Sequence, residues 1–276
     1  MRKVLVVGCG RAGQRHKQLA EIFGLDVTGA DPNVHEIWVR YHALDAALFQ
    51  ENFDFVVLAT PPDQHLAGLK LCIEKKIPTL CEKPLCSLTE LLDSELLAGW
   101  HVAPSPHVMM AYNYAFHPKI MNPEWTGSVS GGWAVISYQN RPPLPPWGHF
   151  LDHAPHSIFI LLRMVGGLRA NHCQAVETSE GSEFRIMGAT TTDEAFLIYD
   201  SVRFSPVERY TAIHSPKGLM RLDDPEDLQM MMVDMWESFL AGKEYWPDLK
   251  IAYEVQRQLM RAHFLTFLNP EFFKKR

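Results

Sequence analysis

The stretch Lys3-Val4-Leu5-Val6-Val7-Gly8-Cys9-Gly10-Arg11-Ala12-Gly13-Gln14-Arg15-His16 decides the reading of the fold. Its first five residues form a short run rich in β-branched side chains, without polar alternation. That is the pattern of a strand buried on both faces of a parallel sheet. Gly8-x-Gly10-x-x-Gly13 follows at once and opens a helical stretch over 14–23. A second strand over 25–30 ends at Asp31-Pro32-Asn33, which places an acidic residue about twenty positions beyond the glycines.

Each glycine has a separate task in that setting. Gly8 permits the tight turn, Gly10 lets a pyrophosphate approach the backbone, and Gly13 lets the helix pack on the strand. The free N–H groups and dipole of a helix N-terminus favour an anion, so Gly8, Gly10, Arg11, Ala12 and Gly13 are the expected phosphate-binding turn. Asp31 is placed to accept hydrogen bonds from ribose hydroxyls, and its charge repels a 2′-phosphate. The expected cofactor is therefore NAD, with NADP as the alternative. Glycines that merely turn the chain, and an aspartate that merely precedes Pro32, are the plainer readings of the same residues.

Working outward, the strand and helix patterns alternate. A third apolar run over 53–60 closes at Pro61-Pro62, and 63–75 has Leu66, Leu69, Cys72 and Ile73 at helical spacing. A strand over 77–81 is followed by Glu82-Lys83-Pro84, then a helical pattern over 87–97 and a strand over 107–112. This rhythm implies right-handed crossovers and an α/β Rossmann fold, a doubly wound parallel sheet, over residues 1–112. The text then changes. A strand over 132–138, a stiff loop over 141–146 and a helix from about 155 to 165 ending at Gly166-Gly167 lead into strand-like text over 170–222. Within it, 184–187, 195–199, 201–204, 210–214 and 219–222 read as separate strands. Helices over 225–240 and 249–267 finish the chain. Strands clustered after an α/β half imply a C-terminal α+β domain with an antiparallel sheet over 113–276.

Composition narrows the function. The 276 residues are 47% apolar with a net charge of −6, a globular composition with no basic surface for a nucleic-acid backbone. The apolar start breaks into Gly8-Cys9-Gly10-Arg11, short of a secretory core or a membrane span. The five cysteines are scattered and odd in number, which implies buried thiols in a reducing cytoplasm rather than disulfides. His149, Asp152, His153 and His156 resemble a metal cluster, but Pro155 interrupts the spacing and no metal is expected.

Three more signals fall in order. Ala59-Thr60-Pro61-Pro62-x-x-His65 ends one strand at the carboxyl edge of the sheet, where open α/β sheets bind ligands, and Glu82-Lys83-Pro84 follows another. Gly148-x-x-x-Asp152-x-x-x-His156 sets a carboxylate and an imidazole one helical turn apart. Taken with the glycine turn, Tyr112-Asn113, Phe116-His117-Pro118, Ser215-Pro216-Lys217-Gly218 and Phe239-Leu240-Ala241-Gly242-Lys243, the chain resembles the glucose–fructose oxidoreductase/inositol dehydrogenase (Gfo/Idh/MocA) family nearly end to end.

The resemblance implies an oxidoreductase that moves a hydride to or from a hydroxyl or keto carbon of a sugar, cyclitol or nucleotide-sugar-like substrate. It implies that the second domain carries an open, mostly antiparallel sheet and commonly mediates assembly into a dimer or tetramer. It also implies a substrate held by Lys83, Asp152 and His156 beside the nicotinamide, with Thr60, Pro61, His65, Glu82 and Lys83 on the cofactor side. His156 is the expected acid–base, Asp152 orients it or binds hydroxyls, and Lys83 stabilises a developing alkoxide or itself passes the proton. His65 is read as bracing its loop. Tyr114, Ala115 and Ala154 depart from the family pattern, and the second domain is short. A dinucleotide-binding sensor without turnover is the competing class, and a methyltransferase leaves Lys83, Asp152 and His156 without a task.

Overall fold

Lys3–Val7 (β1) lies inside a six-stranded sheet whose pairings are all parallel. The computed structural model describes residues 1–91, 107–122, 133–140, 148–178, 181–203, 210–242 and 246–267. Around β1 the chain forms α1 (Arg11–Ile22), β2 (Asp26–Ala30), β3 (Val39–Tyr41), α2 (Leu44–Gln50) and β4 (Phe55–Leu58). A 3₁₀ turn (Pro62–Gln64), α3 (His65–Glu74), β5 (Thr79–Cys81), α4 (Leu88–Leu91) and β6 (Val108–Met110) follow. The strand order is β3-β2-β1-β4-β5-β6, so the chain reverses direction across the sheet between β1 and β4. Open sheets of this kind bind ligands at that reversal, beyond the carboxyl ends of the strands. Val4–Val7 and Phe55–Leu58 are buried throughout, because helices leave these central strands no solvent-facing side.

The second sheet has the order β12-β11-β7-β10-β9-β8, built from β7 (Trp133–Asn140), β8 (Leu168–Thr178), β9 (Gly181–Thr190), β10 (Ala195–Arg203), β11 (Tyr210–Ser215) and β12 (Gly218–Arg221). Only β7 and β10 pair in parallel; the remaining neighbours are antiparallel. Phe196, Ile198 and Asp200 alternate along β10 on its buried side. The helices of this half are α5 (Pro118–Met121), α6 (Gly148–Val165), α7 (Pro225–Ala241) and α8 (Leu249–Phe267). The fold class is therefore the one read from the sequence, a Rossmann-type α/β sheet followed by a mostly antiparallel α+β sheet.

Several boundaries differ from the reading. β3 and α2 went unread because both are short and carry weak periodicity. Residues 195–203 form one strand where the sequence reads as two, since β10 is paired along its length with β9 and β7. The long strand β8 had no separate reading. Helix α6 begins at Gly148 and runs through Pro155, where the sequence places the start near 155. Proline's fixed φ suits a helix, but it lacks the N–H for the carbonyl four residues back and its ring crowds that carbonyl. The rest of the helical pattern over 87–97 beyond Leu91, and the proline-rich loop over 141–146, lie outside the described residues.

The chain divides into two compact units, Met1–Tyr112 with Val233–Tyr253 and Asn113–Met232 with Glu254–Arg276. A single cut after residue 112 misses the return of 233–253 to the first unit. That return has a packing cause. The Trp236 ring is fully buried, parallel to Phe23 at 6.4 Å and edge-on to Phe239 at 5.9 Å. Phe239 in turn meets Phe55 of β4 at 5.4 Å. Among the described residues, no helix is long and apolar enough to cross a membrane.

Candidate cofactor and catalytic sites

Gly8 has φ +85°, a conformation that L side chains rarely adopt, and a Cβ there would strike the Ala59 backbone at 2.6 Å. At Gly13 a Cβ would collide with the carbonyl oxygen of Gly8. Gly10 is different: a Cβ built there meets nothing within 4 Å, and the residue is exposed at the N-cap of α1 with no side-chain cap. Two glycines thus shape the turn, and the third leaves a bare backbone approach in front of the first-turn amides of α1, which lack carbonyl partners within the helix. Thr60, at the end of β4, keeps a buried hydroxyl with no hydrogen-bond partner. A cradle open at Gly10 and an unused donor at Thr60, on one edge of one sheet, fit a dinucleotide phosphate and ribose chain.

Asp31 also works for the turn itself. Its Oδ2 accepts the Cys9 N–H at 2.8 Å, and its Oδ1 accepts those of Asn33 at 2.8 Å and Val34 at 3.2 Å. The cofactor reading and the plainer turn reading of this residue therefore coexist, since a carboxylate has capacity for further donors. Beside it, burial first and the Asp31 charge second push the Cys9 thiol up to about 12. Cys72 is pushed up to about 11 and Cys81 well above its ordinary value, both chiefly by burial. All five cysteines are buried and none is in a disulfide.

On the neighbouring loops, His65 reaches the Thr60 carbonyl from Nε2 at 2.8 Å and the Pro84 carbonyl from Nδ1 at 2.7 Å. It thereby ties the turn after β4 to the turn that follows β5, as a brace. Carbonyl oxygens only accept, so a neutral ring donates to one of them and a charged ring to both. Glu82 is held by a second histidine. The indole Nε1–H of Trp236 donates to His16 Nδ1 at 3.1 Å, which leaves the ring proton on Nε2, facing Glu82 Oε1 at 3.0 Å. Glu82 Oε2 accepts the backbone N–H of Lys83 at 3.2 Å. Sequence reading passed over this Trp236–His16–Glu82 line. His16 sits three residues after Gly13 on the buried face of α1, which was the available signal, but nothing local foretold a partner 220 positions away.

In the second unit, Asp152 and His156 lie one turn apart on α6, Asp152 buried and His156 half-buried with its ring edge-on to Tyr114 at 5.6 Å. His153 joins them. Its Nδ1 lies 3.1 Å from Asp200 Oδ1 on β10, and its Nε2 lies 3.5 Å from Asp152 Oδ2. Sequence reading weighed His153 only as a metal ligand and did not see Asp200, although a carboxylate in the apolar series Phe196-x-Ile198-x-Asp200 was visible. Among the described residues, no cluster is placed to hold a metal ion.

A Rossmann sheet whose glycine turn fits a dinucleotide, with a mostly antiparallel second unit, is the architecture on which the oxidoreductase assignment rests. Residues 2–97 match the oxidoreductase family with an NAD-binding Rossmann fold, GFO_IDH_MocA. The chain is 23% identical to the inositol 2-dehydrogenase of Pseudarthrobacter chlorophenolicus over 281 residues, covering 93% of this chain and 70% of that protein. The crystal structure of a myo-inositol dehydrogenase from Corynebacterium glutamicum superposes with a TM-score of 0.73 at 15% identity, covering 98% of this chain and 97% of that one. The WlbA dehydrogenase of Thermus thermophilus, solved with NAD and UDP-GlcNAcA, superposes with a TM-score of 0.66 at 15% identity, covering 94% of each chain.

The glycines separate binding from folding. Gly10→Val should leave thermal unfolding near wild type and abolish NAD binding in calorimetric titration, because its side chain fills the phosphate approach. Gly13→Ala should lower the unfolding temperature outright. Gly10→Val that binds NAD normally would remove the assignment of this loop.

His65 generates a pH dependence. Burial lowers its pKa by more than the Pro84 and Thr60 carbonyls and the Glu82 and Glu90 charges raise it. The unfolded chain, near the ordinary value of about 6.5, then binds the proton more readily than the folded one. Stability is full above that value and is lost as pH falls toward the lower folded pKa. Chemical denaturation should show the loss, and His65→Gln should shrink it. His117 and His263, lowered mainly by burial in the same way, should preserve part of it. An unchanged pH slope in His65→Gln would show that His65 binds its proton equally well in the folded and the unfolded chain.

Proposed function

We propose that this NAD-dependent oxidoreductase acts on a CH–OH carbon of a cyclitol, sugar or nucleotide sugar, with Lys83, Asp152 and His156 as its substrate-side groups. The observation that carries the reading is the presence, in a chain with an NAD cradle ending in Lys83, of a helix that sets a buried carboxylate one turn before an imidazole. The named activity of the inositol dehydrogenase relatives and the nucleotide sugar bound by WlbA support the substrate class. NAD, when bound, supplies the hydride acceptor. The chain supplies the proton chemistry. His156 takes the hydroxyl proton as the carbinol becomes a carbonyl, and returns it in the reverse direction. Asp152 orients the ring or accepts a second substrate hydroxyl. Lys83 stabilises the alkoxide that develops at the reacting oxygen. On the cofactor side, Gly8, Gly10, Arg11, Ala12 and Gly13 receive phosphate, Asp31 and Thr60 receive ribose, and Pro61, His65 and Glu82 hold the adjoining loops.

A panel of myo-inositol, glucose and a UDP-hexuronate with NAD tests this reading through NADH absorbance. Lys83→Met and His156→Ala should each lower turnover on the order of 10²–10⁴-fold, the range for a positioned acid–base group, with NAD affinity nearly unchanged. Asp152→Asn should fall between them and wild type. Near-normal turnover in both Lys83→Met and His156→Ala would refute the assignment.

We also propose that the chain self-associates, as a dimer or tetramer, through the open sheet of the second unit. Its six strands end at β12 and β8 with no further strand beside either among the described residues, and Leu219 on β12 and Met187 on β9 are exposed. Uncovered edges and exposed apolar side chains favour pairing with another copy. Light scattering at micromolar concentration should report a dimer or larger, and a strict monomer would reject the proposal.

A further inference from the structure

We infer that Asp200 and His153 are positioning residues that fix the Asp152 carboxylate, an inference resting on the reading of Asp152 as a substrate-side group. Asp152, His153 and Asp200 are 7%, 5% and 2% exposed, so two carboxylates and an imidazole share a site nearly closed to water. Asp200 occupies a place in β10 where Phe196 and Ile198 set an apolar pattern, and its register partners are Ser137 of β7 and Phe184 of β9. Burying a carboxylate there is unfavourable unless donors meet it, and His153 at 3.1 Å is one of its partners.

The geometry turns one residue's charge into another's orientation. Asp200 holds the proton on His153 Nδ1, which fixes the ring plane and what Nε2 presents to Asp152 Oδ2 at 3.5 Å. Asp152 Oδ2 therefore stands at ion-pair distance from a ring that is itself anchored on the sheet, and a charged ring attracts it there. Asp152 stands four residues before His156 on the same helix, which makes the two neighbours on one helix face. This is the arrangement by which a second carboxylate commonly sets the tautomer of an imidazole that works on something else.

A simple tie between α6 and β10 would give the same distances, and one pair of variants separates the two roles. His153→Asn keeps an amide near the former Nδ1, able to hold Asp200, but has nothing that reaches Asp152. Asp200→Asn keeps shape and removes the anchoring charge. With the panel member that wild type oxidises, both variants should lose about ten- to hundredfold in kcat, as when an orienting partner is removed from behind a working group. KM and the NAD dissociation constant should change little. Wild-type kcat in folded His153→Asn overturns the inference and leaves a structural tie. If wild type oxidises no panel member, the functional reading fails while the inference is still decided by carbon-13 NMR of the NAD-loaded protein. The Asp152 carboxyl resonance should shift in both variants, and an unmoved resonance overturns the inference. Should Asp200→Asn fail to fold, nitrogen-15 spectra of wild type decide in its place. An Nδ1 that carries no proton overturns the inference, and a protonated Nδ1 with an Nε2 coupled to Asp152 supports it.

Discussion

Gly13 lies so close to the carbonyl of Gly8 that even a methyl group would not fit between them. The contact presses the first turn of α1 onto the end of β1, and the other features of the cofactor edge follow from it. Because α1 starts there, its first amides face outward beyond the strand ends, and Gly10 is left at the mouth with open space before it. Asp31 reaches the same turn from the end of β2 and holds the Cys9 amide. A larger residue at 13 would move the helix, and with it both the anion-facing amides and the frame that Asp31 braces.

The same helix carries that constraint further along the sheet edge. One turn beyond Gly13, His16 faces inward and is held from behind by Trp236, so its Nε2 proton is committed to Glu82. Glu82 in turn takes the Lys83 amide. His65 secures the opposite side of that turn through the Pro84 carbonyl. The lysine assigned to alkoxide stabilisation thus stands on a backbone held from two directions by histidines. Positioning of this kind matters because misplacing a catalytic group by about 1 Å costs on the order of 10² in rate.

Most of this edge was legible in the sequence, for a physical reason. Gly8, Gly10, Gly13, Asp31, Thr60 and Lys83 fall at strand ends or helix starts, where short-range backbone rules dictate residue type. The side chains that hold them in place were not legible. Trp236 meets His16 across 220 positions and Asp200 meets His153 across 47, and such pairs leave no local periodicity. Pro155 misled for the opposite reason. It carries a strong local signal for a helix start, which the tertiary packing of α6 overrides. Short elements such as β3 and α2 escaped notice because three or seven residues give too little pattern to read.

The return of Val233–Tyr253 to the first unit bears on how the chain is made. Trp236 and Phe239 fill the space behind α1 and β4, yet a ribosome delivers them only after more than a hundred intervening residues have emerged. The dinucleotide half cannot finish its core as a separate N-terminal body during synthesis, although domains commonly fold in order as they appear. Until α7 is released, His16 lacks its indole donor and the turn before Lys83 lacks one of its supports. Completion of the nucleotide-binding half therefore waits on a segment made after the strands of the second sheet.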